Sequence, residues 1–170
     1  MGDGFDALLL ESRDETATMA IAASLAGLLE PGDVVGLTGD LGAGKTRFVQ
    51  GAAAALEVDE PVVSPTFMLV RGYQGRVPVR HVDAYRLSGP AELEDLGLEE
   101  VLPAGAVAFV EWADRVAGAL PPSWLELAFH TRPDEVREIR VRLHGAWSQR
   151  LDQVAAALGR FRSRAGRGSG

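Results

Sequence analysis

The chain has 170 residues, 46% of them apolar and 24% charged, an ordinary globular composition long enough to bury one core. It contains no cysteine, which excludes disulfides and thiolate metal sites, and its net charge of −7 argues against indiscriminate coating of nucleic acid. No segment resembles a signal peptide or approaches the ~20 apolar residues that span a bilayer, so a cytoplasmic location is expected.

Residues 7–10 read as a short opening strand. Ser12-Arg-Asp-Glu15 has the spacing of a capping box, and Ala17, Ile21, Leu25 and Leu28 follow at helical spacing. Pro31-Gly32-Asp33 is expected to end that helix, and residues 34–37 form a compact apolar strand. A glycine-rich loop comes next, followed by an Ala-rich helix from Lys45 to about Leu56. Residues 62–71 and 77–85 both read as extended, the first interrupted by Ser64-Pro65. Residues 91–98 read as a short acidic helix or turn, a solvated face. Residues 106–110 are an apolar strand ending at Glu111-Trp112. Leu125, Leu127 and Phe129, then Ile139, Val141 and Leu143, alternate with mostly polar neighbours around Pro133-Asp134, which predicts an antiparallel hairpin. Trp147, Leu151, Val154 and Leu158 form a closing helical stripe. The expected fold is α/β: a three-layer P-loop NTPase-like sandwich on a mixed sheet, parallel near the loop and antiparallel toward the C-terminus. One domain is expected over residues 1–159, with a basic, Gly/Ser-rich, disordered tail over 160–170.

The loop Gly39-Asp40-Leu41-Gly42-Ala43-Gly44-Lys45-Thr46 fits G-x-x-x-x-G-K-[ST] in full. Its glycines let the backbone close around phosphate oxygens, and successive amides point into one concavity backed by a helix N-terminus. Lys45 supplies a mobile charge to the β- and γ-phosphates, and the Thr46 hydroxyl is a ligand for Mg²⁺. Lys45 is the only lysine in the chain, at the one position where a compact ammonium is needed rather than a planar fork. The chain has no asparagine, so it cannot carry the Asn-Lys-x-Asp motif by which GTP-specific P-loop proteins generally read guanine; ATP is the expected nucleotide.

Hydrolysis needs an acidic residue for metal or water and a switch that senses the γ-phosphate. Glu111 and Asp83 each close an apolar strand and are the acidic candidates, and Thr66 in Ser64-Pro65-Thr66-Phe67 is the switch candidate. Trp112 is either core or an aromatic packed on the nucleotide, and His81 is read as structural. Two other readings stand beside the ATPase. One is a small-molecule kinase, for which Arg71, Arg76 and Arg80 are faint lid candidates. The other is a nucleotide-dependent binding module without significant hydrolysis.

Taken together, the loop, Ser64-Pro-Thr-Phe67, His81-Val-Asp-Ala-Tyr-Arg-Leu87 and Glu111-Trp112 resemble the bacterial TsaE (YjeE) family in order and spacing, over residues 8–143. The resemblance implies a Mg-dependent ATPase, slow without its partners TsaB and TsaD. It serves threonylcarbamoyl modification of the tRNA adenosine beside the anticodon, with tRNA met indirectly through the complex. It also implies phosphate and Mg²⁺ contacts at Lys45 and Thr46, a switch at Thr66, an acidic pair at Asp83 and Glu111, and Trp112 near the nucleotide. Thr16 and Arg137 match family positions and are candidate nucleotide contacts. Ala113-Asp114-Arg115 departs from the proline that many members carry there.

Overall fold

The structure, a computed structural model, describes residues 4–164. Seven strands form one sheet: β1 (Phe5–Ser12), β2 (Val34–Gly39), β3 (Val70–Gln74), β4 (Pro78–Asp83), β5 (Val107–Glu111), β6 (Trp124–Thr131) and β7 (Arg137–His144). Their order across the sheet is β1-β7-β6-β2-β5-β4-β3. β2 lies at the centre and runs parallel to both β5 and β6, as β4 does to β5. The pairs β1–β7, β6–β7 and β3–β4 are antiparallel. The sheet is therefore mixed, as expected, with its parallel strands gathered around β2.

Burial follows from this order. β2 is covered on both faces and reads as a continuous apolar run, whereas β6 and β7 alternate. On one face pack α1 (Glu15–Ala26), α2 (Lys45–Ala55) and α5 (Leu151–Leu158), burying Ile21, Leu25, Phe48, Val49 and Val154 against Leu37, Phe109, Leu127 and Ile139. Each such side chain stabilises the fold by about 1.5–3 kcal/mol when fully buried. The helices α1 and α2 approach closely at Gly51, where a Cβ would come within 2.9 Å of the Met19 backbone. Across the sheet, α3 (Pro90–Asp95), α4 (Leu98–Val101) and two short 3₁₀ turns after β5 cover Val82, Val110 and Trp124. Three layers result. Among the described residues no helix is long and apolar enough to cross a membrane.

Three local expectations need correction. The cap of α1 is Asp14, whose carboxylate accepts the Ala17 amide at 2.7 Å; Ser12 is buried in β1 with its hydroxyl on Thr18. That helix ends at Ala26 and leaves through successive turns at Leu28 and Leu29, before the Pro-Gly pair is reached. Residues 62–69 are irregular rather than extended, because Pro61 and Pro65 donate no ladder bonds and Ser64 and Thr66 bond Asp83 instead; β3 starts at Val70. Within the expected tail, Arg162 bridges Leu10 on β1 and the Ser163 amide donates to Leu9 O at 2.8 Å. Residues 165–170 of the expected tail lie outside the described residues.

Candidate functional site

The sheet register brings the carboxylates together. Residues 79, 81 and 83 of β4 and 107, 109 and 111 of β5 share the face toward α2, and Asp83 pairs directly with Glu111. Both carboxylates stand at the C-terminal ends of parallel strands, where open α/β sheets form their crevices. The glycine-rich loop leaves β2 at the same edge. Gly39 makes the exit possible: its φ is +124°, and a Cβ there would meet Phe129 O at 2.3 Å. The loop then enters α2 through Gly44, which provides no side-chain cap. The first-turn amides of α2 thus face a concavity without a side-chain acceptor, the arrangement that suits an anion.

A cavity of about 490 Å³ opens above these groups. Leu41, Gly42, Gly44, Lys45, Thr46, Thr66, Asp83, Glu111 and Trp112 all line it, so most of the sequence candidates converge. Gly39, Asp40 and Ala43 frame the loop from within: Lys45 Nζ donates to Gly39 O at 2.6 Å and Asp40 O at 2.8 Å, and the Ala43 amide donates to Asp40 O. The Lys45 ammonium also lies 4.0 Å from the centre of the Trp112 ring. Burial pushes the Lys45 pKa below the ordinary lysine value, opposed by the negative charges of Glu111, Asp114, Asp40 and Asp83.

Thr46 Oγ1 donates to both oxygens of Glu111, at 2.9 and 3.1 Å. Asp83 gathers the opposite wall. Its Oδ2 accepts from Ser64 at 2.8 Å and Thr66 at 3.1 Å, and its Oδ1 accepts the Tyr85 amide at 2.9 Å. Trp112 sits in the left-handed region, φ 59° and ψ 38°, a conformation uncommon for a bulky residue. Its ring packs on Tyr85 with centroids 5.1 Å apart.

Besides Gly39, Asp40 and Ala43, two candidates lie outside the cavity wall. Thr16 is exposed on the first turn of α1, and its neighbour Glu15 lines the cavity and pairs with Arg47 at 3.2 Å. Arg137 touches the loop itself, donating to Gly42 O at 3.3 Å. The faint lid arginines point elsewhere: Arg71 pairs with Glu60, Arg76 bonds Ala26 O, Arg80 packs at Gly72, and none lines the cavity. Sequence reasoning passed over Gln50, one turn beyond Thr46 on α2, which bonds Val62 O and fixes the approach to the Ser-Pro loop. His81, expected to be structural, has a fully buried ring with Nε2 2.5 Å from Glu111 Oε2. Helical spacing from Thr46 signalled Gln50, and strand alternation placing His81 and Asp83 on one face signalled the histidine.

Among the described residues no three His, Cys, Asp or Glu side chains form a self-sufficient metal cluster. A small hard cation such as Mg²⁺ needs only one or two carboxylates, completed by other oxygens including phosphate. The Thr46 hydroxyl with Glu111 and Asp83 fits that donor set.

Comparison with known proteins points one way. The sequence profile of the family described as threonylcarbamoyl adenosine biosynthesis protein TsaE matches residues 12–139. The chain is 43% identical to the tRNA threonylcarbamoyladenosine biosynthesis protein TsaE of Bacillus subtilis, over 72% of this chain and 77% of that one. It is 42% identical to the protein of that name from Treponema pallidum, over 67% of this chain and 84% of the other. The crystal structure of Bacillus subtilis YdiB superposes with a TM-score of 0.75 at 32% identity, covering 94% of this chain and 97% of that one.

Proposed function

The chain belongs to the TsaE family, and on that premise we propose that it binds and hydrolyses ATP with Mg²⁺ in support of tRNA threonylcarbamoylation. The observation that carries this reading is the convergence of the Thr46 hydroxyl on the Glu111 carboxylate beneath an uncapped helix N-terminus. The loop amides and Lys45 hold the phosphates, Lys45 exchanging its two loop carbonyls for phosphate oxygens. Thr46, Asp83 and Glu111 are the residues that would hold Mg²⁺, which when bound neutralises charge developing on the phosphates. Glu111 orients water and accepts its proton. The hydroxyls of Ser64 and Thr66, now turned to Asp83, form the switch that responds to the γ-phosphate. Trp112 and Tyr85 give an aromatic wall for the nucleotide. The partners are TsaB and TsaD, which accelerate a hydrolysis that is slow in the isolated chain, and tRNA is met through the complex.

The test is reconstitution with TsaB, TsaD, tRNA and ATP, following modified tRNA and ADP together. Repeated turnover that requires this chain, and stops with Lys45→Ala, is expected. Equal multiple-turnover modification with and without the chain would overturn the reading.

A further inference from the structure

Building on the hydrolase reading above, we propose that His81 is the positioning residue for Glu111, its imidazole donating Nε2–H to Glu111 Oε2. His81 lies inside β4, beside Phe109 of β5 and two residues before Asp83. Its ring is fully buried and does not line the cavity, so it acts on the site only through another group. Its neighbours Val79, Val107 and Phe109 on that face are fully buried and apolar, while Arg71, opposite it on β3, turns its guanidinium to Glu60 and the Tyr73 ring. An imidazole there would cost stability unless something required its polar edge. Among the described residues, the one polar contact its ring makes is Glu111 Oε2, at 2.5 Å.

The other ring nitrogen fixes the tautomer. Nδ1 is buried and has no hydrogen-bond partner among the described residues. A proton on Nδ1 would leave a buried donor unsatisfied, whereas a bare Nδ1 leaves only a lone pair. The hydrogen therefore sits on Nε2 and is donated to the carboxylate. From the other side, Thr46 Oγ1 donates to both carboxylate oxygens. Donors on the sheet and on α2 together hold the carboxylate between them, Oε2 accepting from His81 and sharing the Thr46 hydroxyl hydrogen with Oε1. Donors that orient a working carboxylate in this way typically change activity by ~10–100-fold when removed.

Two substitutions and one spectrum decide the matter. His81→Gln can place an amide N–H where Nε2 stands, and His81→Phe keeps the ring without the donor. In the complete TsaB–TsaD system, H81F is expected to lower kcat for ADP formation by ~10–100-fold with KM for ATP changed less than about threefold, and H81Q to recover most of that loss. Independently of activity, long-range ¹H–¹⁵N correlation of the isolated protein is expected to show His81 protonated at Nε2 and bare at Nδ1. Glu111→Gln should move that Nε2–H resonance. A hydrogen on Nδ1, equal loss in H81F and H81Q, or a change in KM alone would overturn the proposal. Absence of ADP formation by the wild-type chain would count against the hydrolase reading, and the tautomer and its response to E111Q would still decide His81.

Discussion

Lys45 and Glu111 line the same cavity, yet their substitution should separate cleanly. The Lys45 ammonium is almost wholly buried and is held by two carbonyls of its own loop and by the Trp112 face. Those contacts keep a desolvated charge ready for phosphate, and only a cation of that size fits them. Lys45→Ala should therefore weaken ATP binding by about 3 kcal/mol, roughly a hundredfold, in calorimetry. Lys45→Arg should restore little of it, because the planar fork cannot occupy the space between Gly39 O and Asp40 O. Glu111→Gln keeps the volume and an acceptor for Thr46 but removes the charge. Single-turnover assays with TsaB and TsaD should show binding within a few-fold of wild type and hydrolysis slower by ~10²–10⁴-fold. Unchanged affinity in K45A, or unchanged turnover in E111Q, would assign the phosphate or the water to other groups.

At the scale of elements, the strand–loop–helix unit and the late hairpin were readable because each rests on local chemistry: glycine geometry in one, strict alternation in the other. The β3 region was not. Its residues are as apolar as those of a strand, and only the long-range bonds of Ser64 and Thr66 to Asp83 decide against a ladder. The same limit hid the cap of α1, where tertiary burial of Ser12 beside Thr18 handed capping to Asp14. The hairpin offers a pH test of its own. Asp134 in the β6–β7 turn is held below the ordinary carboxylate range first by the Arg132 guanidinium and then by the Val136 amide. A carboxylate whose native pKa is depressed stabilises the fold above its unfolded pKa, and that contribution is lost as pH falls through the native value. Asp134→Ala should thus shift the urea midpoint down slightly at neutral pH, and the difference should vanish in acid. A difference that persists once both forms of the carboxyl are protonated would mean that Asp134 acts by turn geometry rather than charge.

For the whole molecule, sheet order decides what the site can be. Placing β2 between β5 and β6 sets the loop beside Glu111, and inserting β4 next brings Asp83 into line with it. Nothing in the chain order announces that β6 pairs with β2 rather than β5; this is a tertiary choice, made by burial of Leu125 and Leu127 beside Val35 and Leu37. Ser163 extends the same logic by closing onto β1 at the far edge of the sheet. Because loop, switch and acidic pair come from different elements, a ligand that bridges them binds the folded state alone and must raise its stability. At a hundred times Kd the gain is about 2.7 kcal/mol. For a chain of this length that corresponds to a rise in Tm of roughly 5–10 °C. ATP with Mg²⁺ should produce that rise in the wild-type chain, chelation of Mg²⁺ should reduce it, and K45A, binding about a hundredfold more weakly, should cut it to roughly 1–2 °C at the same nucleotide concentration. An equal rise in K45A would place the nucleotide elsewhere on the protein, since no other lysine exists to replace the lost charge.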